Sequence, residues 1–502
     1  MNYRLVTRYL GHFSCAIGLL MLPSALCAVF YKEWGALAAL LGSTGVSCLI
    51  GYLLAMAGRN AAPDLYQREG LGLVGLSWIL LAGLGALPYL LSGVFVNPAD
   101  AYFECMSGFT TTGASVMTAA SFDTTPKSIL FWRSFTHWLG GMGIVVLFIA
   151  VLPYLGAGGK QLFKSESPGP DPRGLKPRIK DTAVILYEIY LGFTVAQTVA
   201  LMLCGMSLFD ALCHTFGSLA TGGFSTRAAS VGAYDSVAVE VVITFFMVCA
   251  GSNFALYSAM LGGNWKALFK DTEWRVYIGI LAVCTLMIAV NLMGAEGALP
   301  VGDSPLPIQE KAVYGSLGTA LRHASFHVAS IMTTTGFCTV DFNTWPYFAR
   351  MLLVVLMFVG GCAGSTGGGI KVVRFVILLK MAYARLKQTF RPKMVRAVRV
   401  SGHVVDDGVQ QTVYSFFVLY LLWFVGGSLF MSLLGLPFQT AVSSVAATLN
   451  NVGPGLSAVG AVENYAFLPT VGKVFLSLCM VLGRLELVSI MVLFMPSFWR
   501  RA

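Results

Sequence analysis

Four short polar, glycine-containing stretches interrupt an otherwise apolar chain at a nearly constant period, and this recurrence narrows the possible folds sharply. They read Thr110-Thr111-Thr112-Gly113-Ala114-Ser115, Ala220-Thr221-Gly222-Gly223-Phe224-Ser225, Thr333-Thr334-Thr335-Gly336-Phe337-Cys338 and Asn450-Asn451-Val452-Gly453-Pro454. The aligned glycines Gly113, Gly223, Gly336 and Gly453 are 110, 113 and 117 residues apart. A fixed period of this kind marks one structural unit repeated along the chain. Each stretch follows a long apolar span and a short amphipathic segment: Ala101–Phe109, Phe209–Leu219, Ala320–Met332 and Phe438–Leu449. A polar turn and another long apolar span come after it. The unit is therefore span, half-helix, extended loop, span.

The spans are of membrane length. Runs such as Leu37–Met56 and Ile278–Met293 carry no charge, and a bilayer crossing needs about 20 apolar residues. Only 11% of the chain is charged, against roughly 25% in a soluble domain, too little for the surface of a soluble protein of this length. The expected fold is an all-α polytopic membrane protein with four span–pore-helix–loop–span repeats around a central pore, preceded by two extra transmembrane helices. About ten full crossings and four re-entrant half-helices follow. The expected divisions are an N-terminal two-helix segment at 1–70 and pore repeats at 71–159, 181–265, 275–385 and 409–502. The first apolar segment, His12 to Phe30, follows Arg4 and Arg8 in the manner of a signal peptide. The span close behind it favours a retained helix.

The formal net charge of +10 is concentrated in linkers: six Lys/Arg between Lys160 and Lys180, seven between Lys380 and Arg399, and Lys266, Lys270 and Arg275 between the second and third units. Positive charge marks the cytoplasmic side, which puts these linkers and both termini in the cytoplasm and the four loops outside. The lipid bilayer, with its anionic headgroups, is the partner such linkers suit. No recognition module accompanies them, so nucleic acid is not an expected partner. The eleven cysteines lie mostly in apolar segments without a CxxC pair, as buried free thiols do. His323 and His327 share a helix face and read as polar packing rather than metal ligands.

Loops of this kind suit a dehydrated cation. Non-helical backbone at membrane depth is tolerated only where it lines water or protein. Four such loops around one axis offer rings of carbonyls that replace a hydration shell, with the negative ends of half-helices behind them. Glycine at the aligned position gives the backbone the conformations it needs. A single Thr/Gly stretch would read as an extracellular turn; four at one period read as a filter.

The sequence resembles the Trk/Ktr potassium transporter superfamily, and within it the TrkH-like bacterial membrane subunits, across essentially the whole chain. The resemblance rests on the four loops, on His137-Trp138-Leu139-Gly140-Gly141-Met142-Gly143 after the first, and on Gly360–Lys371 after the third. It implies potassium uptake across the bacterial inner membrane by a multi-pass homodimer, with a cytoplasmic nucleotide-binding regulatory partner of the TrkA kind. It also implies no covalently bound cofactor. The filter positions it implies, where potassium would bind, are Thr111, Thr112 and Gly113; Thr221, Gly222 and Gly223; Thr334, Thr335 and Gly336; Asn451, Val452 and Gly453. The fourth loop departs from the Thr-Gly pattern. Family members that admit sodium often have serine in place of the first-loop glycine, so Gly113 favours potassium.

Two further features bear on gating. Gly360, Gly361, Cys362, Ala363, Gly364, Ser365, Thr366, Gly367, Gly368 and Gly369 hold six glycines in ten residues. At up to about 1 kcal/mol each relative to alanine, these break the span Arg350–Lys380. An intramembrane gate under the third loop is one reading, which the resemblance supports; a small-residue seam of the Gly360-x-x-x-Gly364 kind is the other. Arg484 lies inside the last span, where a cation demands a partner or water. It reads either as a pore-facing electrostatic barrier beside the gate or as one half of an ion pair with another helix. Glu486, two residues on, projects from a different face and is a poor direct partner.

Phosphate-loop and dinucleotide readings fail, because Lys371 follows Ile370 and Gly70-Leu71-Gly72-Leu73-Val74-Gly75 opens a membrane span with no preceding strand. A membrane-embedded enzyme would need clustered carboxylates for a metal or a basic pocket for pyrophosphate, and no Asp-x-x-Asp-like cluster appears; the chain is not read as an enzyme. A sodium-permeable or ion-coupled symporter of the same fold is the competing transport reading. An inverted-repeat transporter conflicts with the same-sense order of the four units.

Overall fold

A computed structural model describes residues 1–60, 66–151, 179–293, 316–391 and 397–499. The described residues are almost wholly helical, with one antiparallel hairpin pairing Arg399–Val400 with His403–Val404. The basic run from Lys160 lies outside the described residues up to Arg178, as do Lys393 and Arg396 of the second run.

Two helices open the chain, Tyr3–Leu20 and Trp34–Ala57, with Leu22–Phe30 continuing the first. They pack through glycines with no room for a side chain. A Cβ on Gly18 would stand 3.1 Å from Ser47, and Gly11, Gly51 and Gly58 each face the opposite backbone. Small residues let helices approach closely in a membrane, and the first apolar segment is integrated into the fold in this way.

Four units follow. Their first helices are Gln67–Gly85, Ile179–Leu203, Thr272–Met293 and Asp407–Leu433. Their half-helices are Pro98–Phe109, Leu208–Leu219, Leu317–Met332 and Phe438–Leu449. All four half-helices end where the amphipathic pattern ends. The first three begin earlier than it does, because Asn97, Ser207 and Ser316 cap them by accepting backbone N–H groups at 2.9, 3.1 and 3.2 Å.

The second helices differ from unit to unit. Unit I has a single helix, Lys127–Val151. Unit II has Val237–Ala250 and Phe254–Leu261, bent by 91° at the break between them. In unit III, Tyr347–Phe358 and Val372–Phe390 flank a non-helical glycine loop, and in unit IV the helix Thr470–Arg484 ends abruptly. Among the described residues six helices are long and apolar enough to cross a membrane, or seven counting the bent pair. The counterparts outside this count are Lys127–Val151, the pair flanking the glycine loop and the short Thr470–Arg484.

Each half-helix packs against the second helix of its own unit and that of the unit before it, and unit I closes the circle by packing against Thr470–Arg484. Exposed side chains on the first helices are apolar, for example Val195, Val199, Leu286, Val290, Leu422 and Leu429, while Ser, Thr, His and Asn are buried around the half-helices. That inside-out distribution fits a protein solvated by lipid.

Candidate functional site

The four loops share one backbone conformation despite their different sequences. In unit I the half-helix ends at Phe109 and Thr110 caps it. Thr111 then enters the left-handed region at φ 52°. Its N–H donates to Gly108 O at 3.1 Å, and Thr112 N–H donates to Ser107 O at 2.9 Å. This pair of bonds is the Schellman motif, which satisfies the last carbonyls of a helix and usually has glycine at the left-handed position. Units II, III and IV repeat it at Thr221, Thr334 and Asn451, with φ 54°, 59° and 55°. The corresponding bonds to the carbonyls of Gly217, Ser330 and Ala447 are each 2.8 Å. A β-branched residue in this region is an outlier costing on the order of 1–2 kcal/mol. Three threonines held there show that the surroundings impose the conformation.

Two residues after each of these, the aligned glycine also has positive φ: 81° at Gly113, 78° at Gly223, 80° at Gly336 and 95° at Gly453. These glycines interlock. A Cβ on Gly113 would overlap Gly222 O, one on Gly223 would overlap Thr335 O, one on Gly336 would overlap Val452 O, and one on Gly453 would lie 2.5 Å from Thr112 O. Each glycine therefore abuts the carbonyl just before the glycine of the next loop, and the fourth returns to the first. One open cavity is lined by all four glycines together with Phe224, Arg133, Glu463 and Tyr465.

Side chains tie the ring together differently in different units. In units I and III hydroxyls pair within the loop, Thr110 with Thr112 at 2.7 Å and Thr333 with Thr335 at 2.8 Å. Unit II has Ala220 and Gly222 at those positions, and the His137 ring of unit I fills the space above Gly222. His137 Nδ1 lies 2.8 Å from Gly108 O, and Phe224 N–H donates to Nε2 at 3.2 Å. In unit IV, Asn451 Nδ2 donates to Thr112 Oγ1 and to Met480 O, both at 2.9 Å. The departure of the fourth loop from the Thr-Gly pattern thus supplies an inter-loop bond. Above the ring, the buried pair Arg133–Glu104 at 2.6 Å joins units I and II, because Arg133 also donates to Ser225 O at 3.0 Å.

The glycine loop, residues 359–371, lies directly against the inner side of this ring. Gly368 N–H donates to Thr334 Oγ1 at 2.7 Å, and Thr366 Oγ1 donates to Leu219 O at 2.8 Å. A Cβ on Gly367 would meet Thr333 O at 3.2 Å, and one on Gly368 would meet Asn450 O at 2.7 Å. The loop thus touches the ends of three half-helices. Gly360, Gly361 and Gly364 seat it laterally: Gly360 N–H bonds Ile370 O, while Gly361 and Gly364 fit against Gly251 O and the Asn253 side chain. Gly369 has φ 66°, Ser365 Oγ donates to Cys362 O at 2.6 Å, and Ala363 is buried. The lysine after the loop, Lys371, donates its Nζ to Gly367 O.

Arg484 is 4% exposed, and its guanidinium bridges Thr366 O at 2.6 Å and Gly140 O at 3.0 Å. Among the described residues it pairs with no carboxylate, and Glu486 instead pairs with Arg374. His323 and His327 serve packing in unit III: His323 Nδ1 lies 3.1 Å from Thr339 Oγ1, and the His327 ring meets Trp345 edge-on. Sequence reasoning missed the left-handed threonines, the buttressing role of His137 against Gly222 and the buried carboxyl Glu273. A carboxylate two residues after Asp271, at the head of an apolar span, was the one visible sign of the last.

The sequence profile of the TrkH family, described as cation transport proteins, matches residues 45–501. The chain is 38% identical to the Trk system potassium uptake protein TrkH of Salmonella typhimurium, with both chains covered in full. It is 34% identical to TrkG of Escherichia coli, with 99% of each covered. The crystal structure of the potassium transporter TrkH from Vibrio parahaemolyticus superposes with a TM-score of 0.86 at 36% identity, again over the whole of both chains. With a profile matched over nearly its whole length, this multi-pass membrane chain belongs to the TrkH family of cation transport proteins and is a transporter, not an enzyme.

Proposed function

We propose that this chain takes up potassium across the bacterial inner membrane through the ring of loops, and that the glycine loop gates it. The observation that carries this reading is the closed ring, in which each aligned glycine abuts a backbone carbonyl of the next loop. The ring carries oxygen from Thr111, Thr112 and Gly113 and from Thr221, Gly222 and Gly223. The third and fourth loops add Thr334, Thr335 and Gly336, and Asn451, Val452 and Gly453. Carbonyl rings substitute for the hydration shell of an alkali cation. Thr111 Oγ1 and Asn451 Oδ1 are buried with no protein partner among the described residues, so both suit a cation ligand. The relatives named for potassium uptake support the choice of ion.

The gate reading rests on contact. The loop from Gly360 to Gly369 lies under three half-helix ends, and Arg484 fastens it at Thr366 O while presenting a buried positive charge to any ion leaving the ring. A cytoplasmic nucleotide-binding regulator would open it by moving the surrounding helices; the homodimer and the cytoplasmic placement of both termini belong to the same reading.

The test is uptake of potassium, rubidium and sodium by liposomes holding the purified chain. Gly113→Ser adds a side chain against Gly222 O and is expected to abolish discrimination against sodium. Deleting Ala363–Gly368 is expected to raise basal flux. A Gly113→Ser variant that keeps full selectivity sinks the filter reading, and a folded deletion variant with unchanged or abolished flux sinks the gate.

A further inference from the structure

The glycine loop is held along one side by a single stretch of chain, Ala250–Glu273, which joins unit II to unit III. Three backbone bonds seat it on the break in the unit II helix. Cys362 N–H donates to Gly251 O at 2.8 Å, Thr366 N–H to Ala250 O at 3.3 Å, and Phe254 N–H to Gly364 O at 3.0 Å. At the far end of the stretch, Glu273 is 5% exposed. Its Oε1 accepts N–H groups from Ala363 at 2.9 Å and from Val373 at 3.0 Å. Ala363 is inside the loop, whereas Val373 is in the first turn of the helix that follows it. One carboxyl oxygen therefore clips the loop to the helix beyond it, across the break.

The carboxyl is well chosen for this. It stands in the first turn of its own helix, Thr272–Met293, and at the N-terminus of Val372–Phe390, and helix N-termini favour acidic groups. Its helix start is tied to the hairpin that follows Val372–Phe390. Thr272 N–H donates to Ser401 Oγ at 3.3 Å, Ser401 Oγ donates to Asp271 at 3.4 Å, and Lys380 Nζ donates to Arg399 O at 2.7 Å. The clip and the hairpin thus close a circuit through the helix behind the loop.

We propose that Glu273 is the positioning residue of the gate, holding the glycine loop in its closed shape; this rests on reading that loop as the gate. The test uses the full chain in liposomes. Glu273→Ala is expected to raise basal rubidium flux about tenfold, as loss of two buried bonds to a carboxyl implies, with the rubidium-to-sodium ratio unchanged. Glu273→Gln keeps an oxygen that accepts both N–H groups and is expected to stay within about threefold of the parent. Glu273→Asp keeps the charge but loses the reach, and is expected to raise flux; it serves as the deciding variant if Glu273→Ala fails to fold. With Ala363–Gly368 deleted, Glu273→Ala is expected to add nothing, whereas a merely structural residue would still matter there. Parent-level flux in folded Glu273→Ala or Glu273→Asp overturns the proposal, as does an undiminished effect in the deletion background. If the deletion raises flux and the Glu273 variants do not, the clip alone falls; if the deletion itself does nothing, the gate falls with it.

Discussion

In the ring, Thr111, Thr221, Thr334 and Asn451 hold φ between 52° and 59° although their loops read TTTG, ATGG, TTTG and NNVG. Immediately beneath it, the second helices of the same units have one counterpart unbroken, one bent by 91°, one interrupted by the glycine loop and one ending at Arg484. The two layers come from the same repeat and have been shaped by different demands. On the proposed reading, a site that surrounds a spherical ion needs equivalent oxygens on every side, which would draw four sequences to one backbone. A gate, on the same reading, needs one element that moves against others that do not, which would let the counterpart helices diverge. Where the layers touch, the regular one supplies acceptors, Thr334 Oγ1 and Leu219 O, and the irregular one supplies the donors, Gly368 N–H and Thr366 Oγ1.

If the ring is equivalent on all sides, a methyl group should be equally damaging at each aligned glycine. Gly223→Ala and Gly453→Ala place Cβ atoms against Thr335 O and Thr112 O at φ 78° and 95°. The left-handed strain alone is on the order of 1–2 kcal/mol. Each variant is expected to lower potassium flux by about 10- to 100-fold, with loss of selectivity over sodium. Parallel flux assays on the two variants check this. One crippled variant beside one normal variant would show that the four positions are not equivalent.

The lower layer should behave in the opposite way, changing how often ions pass rather than which ones. Arg484→Gln removes the charge that bridges Thr366 O and Gly140 O. Hydrogen bonds from a charged group contribute about 1.5–3 kcal/mol. Losing that contact is expected to raise basal potassium flux by about tenfold with the potassium-to-sodium ratio intact. Thermal unfolding in detergent provides the control. A variant that unfolds early and shows no flux would make Arg484 a structural strut rather than part of the barrier.

These two layers were not equally readable in the sequence. The half-helix ends at Phe109, Leu219, Met332 and Leu449 were legible, because an amphipathic pattern stops at a polar stretch in each unit. The break after Phe358 was legible because six glycines cannot hold a helix. The left-handed threonines were not, since local preference points to glycine at that position. The partners of Arg484 and Glu273 were hidden by sequence separation. Thr366 lies 118 residues before Arg484, and Ala363 lies 90 residues after Glu273. Such pairings leave no periodicity. The half-helix starts were missed by up to three residues because Asn97 and Ser316 act through cap geometry rather than hydropathy.

The smallest effect is expected where the ring itself departs from fourfold likeness. Thr112 and Thr335 each pair with a hydroxyl two residues earlier, whereas the matching residue in unit IV is Val452, fully buried and with Asn450 two residues earlier. Asn450 is already satisfied: Tyr420 donates to its Oδ1 at 2.7 Å and its Nδ2 donates to Ala446 O at 2.8 Å. Val452→Thr keeps the side-chain shape and adds a hydroxyl that must find a bond or cost about 1–3 kcal/mol when buried. If position 452 meets the ion only through its backbone oxygen, the substitution should lower thermal stability by a few degrees and leave potassium-to-sodium selectivity within about twofold of the parent. Flux ratios and melting curves on one preparation decide it. A tenfold change in selectivity with an unchanged melting curve would mean that side-chain hydroxyls, absent from position 452, help to set what the ring accepts.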